Sequence, residues 1–298
     1  MNARNTRDTA NKLFESYGGI LKLPERQLRL DDARLMEYRY PAERQRLVIA
    51  LVTIALLVFG GFLFREKDIL LAAGAVYLSM LVASIQAKTL YRLQGAEVTP
   101  TQFPAIYKIV EELQRRFQAP PIRVFVVRRM MFKADALGLV APYVIVLPHV
   151  VIDSMEDDEL HFVLGQAFGH ICFGHTRVAL LMGGDESALP ALLSWIGRLR
   201  DLIFAGYLRA ATLSADRAGI LACGSIVPAI RAQVKLSVGV NQLKEVRTED
   251  LIQQAVKVNQ GFAHYQAMVI RWRSPVPPFI HRLEAMLEWA GLPPESES

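Results

Sequence analysis

From Leu47 to Phe64 the chain reads LVIALVTIALLVFGGFLF, and after the charged residues Arg65, Glu66, Lys67 and Asp68 a second run, ILLAAGAVYLSMLVASIQ, extends from Ile69 to Gln86. Each run is eighteen residues without a charge; as a helix it covers ~27 Å of a hydrocarbon layer ~30 Å thick. A helix in a soluble core keeps one polar face, and neither run has one. The pattern predicts a transmembrane helical hairpin over residues 47–86, with spans 47–64 and 69–86. The first run starts too far along the chain for a cleavable signal peptide and is expected to remain as an anchor.

Beyond the hairpin the spacing changes. Ile106, Ile109, Val110, Leu113 and Phe117 recur at helical intervals, predicting a helix from Pro104 to Gln118 with Thr101 as its cap. Ala119-Pro120-Pro121 ends it. The runs IRVFVV (122–127) and YVIVL (143–147) are β-rich and read as neighbouring strands. Ser154, followed by Glu156, Asp157, Asp158 and Glu159, places a hydroxyl and four carboxylates where a helix N-terminus favours them, so a helix should run to about Phe173. A loop is expected over Met182–Ser187, then mostly helix from Ala191 to Cys223, to about Ser237, and from Leu251 to Trp272. Ser274-Pro275-Val276-Pro277-Pro278 breaks the pattern before a last helix, Phe279 to Ala290, and a tail at 292–298. The first 46 residues, with a Gly18-Gly19 break and single prolines at Pro24 and Pro41, read as an N-terminal arm of short helical pieces. The fold class expected is α+β, mostly helical, with a small sheet.

Composition narrows this picture. Of 298 residues, 52% are hydrophobic and 21% charged, which excludes a disordered or low-complexity polymer. A positive mean hydropathy argues against a wholly soluble chain. The net charge is +5, but no basic cluster interleaves with aromatics, so nucleic acid is not an expected partner. The first 46 residues hold ten Lys or Arg, Lys88 and Arg92 follow the second run, and the turn between the runs has two. That bias puts both termini on the cytoplasmic side of an inner (cell) membrane. Cys172 and Cys223, in apolar surroundings and a reducing compartment, are expected as unpaired buried thiols.

The candidate chemistry lies in two segments, DELHFVLGQAFGHICF (158–173) and TLSADRAG (212–219). With the amphipathic helix, the strand YVIVL, the acidic EDDEL cap and the Pro-rich break in the same order, residues 98–291 resemble the catalytic domain of the HtpX and CAAX-prenyl-protease family of membrane zinc metallopeptidases. The resemblance implies a zincin-like domain. In that family H-E-x-x-H sets two histidines one turn apart to hold zinc, and the glutamate serves as general base toward the metal-bound water. Aligned on Gly169-His170, this chain has Gln166 for the first histidine, Ala167 for the glutamate and His170 for the second histidine. The third ligand of the family, a glutamate four residues before the aspartate of its second helix, falls on Thr212. The aspartate itself is Asp216, implied to sit beside the metal site and expected here to hydrogen-bond His170 or Gln166. Lys133-Ala134-Asp135-Ala136 stands where the family often has an Asn-Ala-x-Ala edge segment for peptides, and Ser274 where a histidine often precedes the proline.

One imidazole falls far short of the three or four donors that tight zinc sites use. Loss of the base at position 167 alone removes ~10²–10⁴ in rate. The expectation is therefore a degenerate centre with no catalytic and no metal-ligating residue, and no cofactor. Relative to His170, helical spacing puts Cys172 and His175 off its face and His161 more than two turns away, so no rewired metal site is expected. His149 reads as a loop histidine, and His264 and His281 as surface or packing residues. Gly183-Gly184-Asp185-Glu186 reads as a loop. The function expected is a membrane-anchored, inactive metallopeptidase-like module for binding, scaffolding or regulation at the cytoplasmic face. Its partners would be the bilayer and a protein or peptide client. The alternative is a zinc-dependent membrane endopeptidase with unusual or borrowed ligands.

Overall fold

The computed structural model describes residues 35–63, 93–128, 133–182, 194–238 and 274–290, with isolated positions between 68 and 89. Among them the chain is mostly helical with a small mixed sheet, as its pattern predicts. The arm up to residue 34, most of the second expected span, the residues 183–193 with their Gly-Gly-Asp-Glu letters, the expected helix 251–272 with His264, and the tail fall outside the described residues.

Helix α1, Glu43–Leu63, starts one turn before the uncharged run. It is the one helix among the described residues long and apolar enough to cross a membrane. Its Ile49, Val52, Leu56, Phe59 and Phe62 are exposed, an arrangement that water does not favour for so many large apolar groups.

Strands β1 (Ala96–Glu97), β2 (Ile122–Val127), β3 (Asp135–Leu137) and β4 (Tyr143–Pro148) form a four-stranded sheet in the order β1-β2-β4-β3. The two β-rich runs are indeed neighbours: β2 and β4 pair in parallel, Ile122 against Tyr143 and Val126 against Leu147. Antiparallel β1 and β3 flank them. Every residue of β4 is buried, as a central parallel strand covered on both faces requires. Its side chains alternate: Tyr143, Ile145 and Leu147 join the main core, while Val144 and Val146 join Phe125 and Val127 on the other face.

The helices are α2 (Pro104–Arg116), α3 (His149–Ser154), α4 (Asp157–Cys172), α5 (His175–Leu181), α6 (Ser194–Cys223), α7 (Ile226–Val238) and α8 (Phe279–Trp289). Two helix starts differ from expectation. Phe103, not Thr101, precedes α2, and the Thr101 hydroxyl meets that of Thr99 at 3.2 Å. Ser154 ends α3 and bonds back to the carbonyl of Val150. The cap of α4 is Glu156, whose N–H donates to Glu159 Oε2 at 2.9 Å. Glu159 is fully buried and receives Lys235 Nζ of α7 at 2.6 Å, so the fourth carboxylate of the acidic run serves tertiary packing as well as the helix end.

The main core joins the sheet's inner face to α2, α4, α6, α7 and α8. It also takes in Leu35, from the 3-10 turn Leu35–Tyr38. Arg39 donates to the carbonyl of Phe173 and lies over its ring. Arg217 stacks on Tyr40 and Trp289. The segment just ahead of α1 is thus fastened to the domain, although sequence pattern reads it as part of an arm.

Candidate functional site

Helices α4 and α6 approach so closely that no side chain larger than hydrogen fits at Gly165, Gly169 or Gly219. A Cβ at Gly165 would stand 2.3 Å from Ala222 Cβ, and one at Gly169 would stand 2.6 Å from Ala218 Cβ. Gly219 is pressed equally against the Phe162 ring. The small residues around Gly169 and Ala218-Gly219 therefore set the distance at which Gln166 on one helix meets Asp216 on the other.

Asp216 is the hub of this junction. Its carboxylate, 2% exposed, accepts Gln166 Nε2 at 2.7 Å and a two-pronged grip from Arg282 of α8, Nε to Oδ2 at 2.9 Å and Nη2 to Oδ1 at 2.5 Å. Fork-shaped guanidinium contacts of this kind are the strong, oriented form of an ion pair. Of the two partners expected for Asp216, the structure selects Gln166. Ala167 is buried in the core. The Thr212 hydroxyl donates to the carbonyl of Leu208 on its own helix at 3.0 Å and points no donor toward Asp216.

His170 turns the other way, and here the helical-spacing argument fails. Gly174, in the left-handed conformation with φ 80, separates α4 from α5; a side chain is strained there. The chain reverses, and His175 Nδ1 comes within 3.0 Å of His170 Nδ1. His175 Nε2 lies 3.0 Å from Glu43 Oε1, on α1. Glu43 is itself buried, accepts the Ser214 hydroxyl through Oε2 and has Arg39 Nε at 3.5 Å. Ser214 Oγ in turn accepts the N–H of Tyr40 at 2.8 Å.

Burial holds His170 well below the ordinary imidazole range, helped by repulsion from a proton on His175, were it charged, and from Lys133 and Arg282. Burial lowers His175 too; the hydrogen bond and charge of Glu43 oppose this, and Arg39 adds to it. Two neutral rings assign the protons: His175 donates Nε2–H to Glu43, and its bare Nδ1 accepts Nδ1–H from His170. Sequence reasoning did not find Glu43, His175 and Ser214. The available signals were a carboxylate one turn ahead of an apolar span and a glycine between His170 and His175.

This donor set does not fit zinc. The amide of Gln166 is spent on Asp216, Asp216 is neutralised by Arg282, and His175 uses opposite ring nitrogens on His170 and Glu43, so its neighbours cannot converge on one ion. Among the described residues no group of three or more His, Cys, Asp and Glu is arranged to hold a metal. The other candidates lie apart. His161 Nδ1 contacts the carbonyl of Asp157 at 2.8 Å and His281 lies 3.6 Å from Glu284. His149 begins α3 rather than standing in a loop. Burial raises the Cys172 and Cys223 thiols to about 12. Lys133 lies 3.6 Å from Asp135 at the start of the edge strand β3.

The sequence comparisons agree with this architecture. The curated relatives matched include proteins named "Protease HtpX homolog" from Streptococcus pyogenes serotype M5 (strain Manfredo) and serotype M3 (strain SSI-1), each 25% identical over 167 residues, covering 52% of this chain and 56% of the relative. The chain thus spans about half the length of the curated relatives it matches. No solved structure matches. The model of peptidase family M48 matches residues 100–290, which contain the sheet strands β2 to β4, the glycine-set pair α4 and α6, and the Asp216–Arg282 fork. The chain belongs to peptidase family M48.

Proposed function

We propose that this protein is a membrane-anchored M48 member without peptidase activity, working as a binding, scaffold or regulatory module at the cytoplasmic face of the cell membrane. The observation that carries this reading is the chemistry at the motif positions around Asp216. Where the family resemblance puts metal ligands and a base, this chain has an amide, a methyl group and a hydroxyl turned to its own helix. A guanidinium supplies the positive charge instead. A zincin-like frame kept by close helix packing around such a centre suits recognition of a protein or peptide client better than hydrolysis.

The membrane part of the reading is a hairpin of spans 47–64 and 69–86, multi-pass, with both termini cytoplasmic. Its support is the exposed apolar surface of α1 and the excess of Lys and Arg outside the turn.

Elemental analysis of the full chain purified from membranes, with peptide cleavage measured on the same sample, tests the reading. The expected result is substoichiometric zinc and no cleavage. Stoichiometric zinc that is lost in His170→Ala, with cleavage lost alongside, would establish instead an endopeptidase with unusual ligands. The two imidazoles 3.0 Å apart are the feature that favours that second reading.

A further inference from the structure

An ionised carboxylate accepts hydrogen bonds and donates none, so it fixes the orientation of each polar group that it meets. Asp216, gripped by Arg282, takes the amide nitrogen of Gln166 at 2.7 Å. The carbonyl oxygen Oε1 of that amide is thereby turned away. Glu43 acts in the same way over a longer path. Its Oε2 accepts the Ser214 hydroxyl, its Oε1 stands 3.0 Å from His175 Nε2, and Arg39 at 3.5 Å favours the ionised form. A neutral His175 therefore carries its proton on Nε2 and leaves Nδ1 bare. His170 Nδ1, 3.0 Å from that bare nitrogen, bears the proton of its own ring, and His170 Nε2 is left as an acceptor.

The inner part of this chain is closed to water. Glu43 and His175 are 2% and 5% exposed, and the rings of Phe173 and Tyr207 lie against His175. Gln166 and His170 are only half-buried. Among the described residues neither Gln166 Oε1 nor His170 Nε2 meets a protein donor, and neither atom is sealed from solvent. The two positions are four apart on α4, with about 5–6 Å between Cβ atoms, so the two acceptors stand one turn apart on the same face. Helix α4 packs beside β3, the outermost strand on that side of the sheet. Lys133, just ahead of β3, and Arg282 are near enough to act on the His170 ring. Two cations at that distance disfavour an ammonium as the donor, whereas a neutral N–H suits the pair.

We propose that Gln166 Oε1 and His170 Nε2 form a pair of hydrogen-bond acceptors for main-chain N–H groups of a peptide client, and that Glu43, acting through His175, is the positioning residue that keeps the second acceptor bare. The proposal rests on the reading of this centre as a zinc-free client site. A sheet edge beside the pair suits an extended peptide, because such an edge has main-chain groups left for pairing. Recognition through acceptors alone has a consequence for specificity. Proline has no N–H, so it is disfavoured at the client residues that face the pair.

Ring-nitrogen NMR spectra of the full chain in detergent, with isotope-labelled histidine and His170 assigned by its loss in His170→Gln, test the proposal. The expected spectrum shows Nδ1–H and a bare Nε2 for His170. N-acetyl-alanine N-methylamide, which offers two N–H donors, should shift the Nε2 signal in the direction of hydrogen-bond acceptance, and its analogue methylated on both nitrogens should not. Glu43→Ala should move the proton of His170 toward Nε2 and abolish the response to the amide, an effect that a purely structural role of Glu43 would not produce. A wild-type ring protonated on Nε2, equal shifts with both amides, or a folded Glu43→Ala with the tautomer unchanged would overturn the proposal; in a zinc-free sample these results leave the reading of the centre intact. If Glu43→Ala does not fold, the wild-type spectrum and the amide pair decide by themselves. Stoichiometric zinc, with Nε2 becoming bare only after chelation, would bring down the zinc-free reading and the proposal with it.

Discussion

Glu43 and His175, 132 positions apart in the chain, meet at 3.0 Å with both side chains buried. One belongs to the helix that is long and apolar enough to cross a membrane, the other begins the short helix after the family's motif helix. His170 extends the chain of contacts to that helix itself. The orientation of α1 is thereby tied to the centre that aligns with the family's active site.

Glu43→Ala should remove the acceptor of both His175 and Ser214 and destabilise the domain by about 1–3 kcal/mol, the cost of buried polar groups left unpaired. Glu43→Gln keeps one acceptor and should cost less. Thermal unfolding of the full chain in detergent measures both; an unchanged midpoint for the alanine variant would refute the contact.

Acidification should weaken the fold through His170 and His175. Burial lowers both imidazoles in the folded state, while the unfolded chain takes up its protons near the ordinary value of about 6.5. The unfolded state therefore binds more protons below that pH. Stability is complete above it and declines as pH falls toward the folded values. Unfolding free energies between mildly alkaline and mildly acidic pH should show the decline, and His170→Gln should flatten it; an equally steep profile in the variant would exclude this histidine as a source.

Arg282→Ala should leave the buried carboxylate of Asp216 with only the Gln166 amide, at a cost of about 3–5 kcal/mol. Replacing both partners by apolar residues, Asp216→Leu with Arg282→Met, should recover much of that loss, because no charge is then left unpaired. Chemical denaturation of the single and double variants decides the matter: a double variant as unstable as the sum of the singles would contradict a direct pair.

Gly165→Ala should force α4 and α6 apart, since its new Cβ would stand 2.3 Å from that of Ala222 and 3.0 Å from the Gly219 backbone. Overpacking of this kind costs about 1–3 kcal/mol. Gly60→Ala on α1, where a Cβ meets nothing within 4 Å, serves as the control and should be harmless.

The native thiols should react slowly. With Cys172 and Cys223 raised from 9.0 to about 12, the reactive thiolate at mildly alkaline pH is ~10³-fold scarcer than in an unperturbed cysteine. A thiol-specific chromophore reagent should label the folded chain orders of magnitude more slowly than the denatured one.

Much of the architecture is legible in periodicity and turn chemistry alone. The strands at 122–127 and 143–148, the helix ending at Cys172 and the last helix at Phe279–Trp289 follow from local apolar spacing and Pro-rich breaks. Helix starts are less legible, because Ser154 and Glu156 both suit a cap; their roles are settled by the pairing of Glu159 with Lys235 on another helix. The likeness to a metallopeptidase is readable from His170 and Asp216 in their two segments, and so is the loss of two ligand types, at Gln166 and Thr212, and of the base at Ala167.

By itself, then, the sequence determined which donors are present, since composition at a position needs no coordinates. It also determined that an apolar segment of membrane length precedes the domain. What the donors do was decided only by tertiary structure. A left-handed Gly174 turned His175 back on His170, Glu43 arrived from 132 residues away, and Arg282 reached across from the last helix to claim Asp216. Local spacing describes one helix at a time, whereas these bonds form between elements whose approach is set by packing of glycine and alanine across α4 and α6.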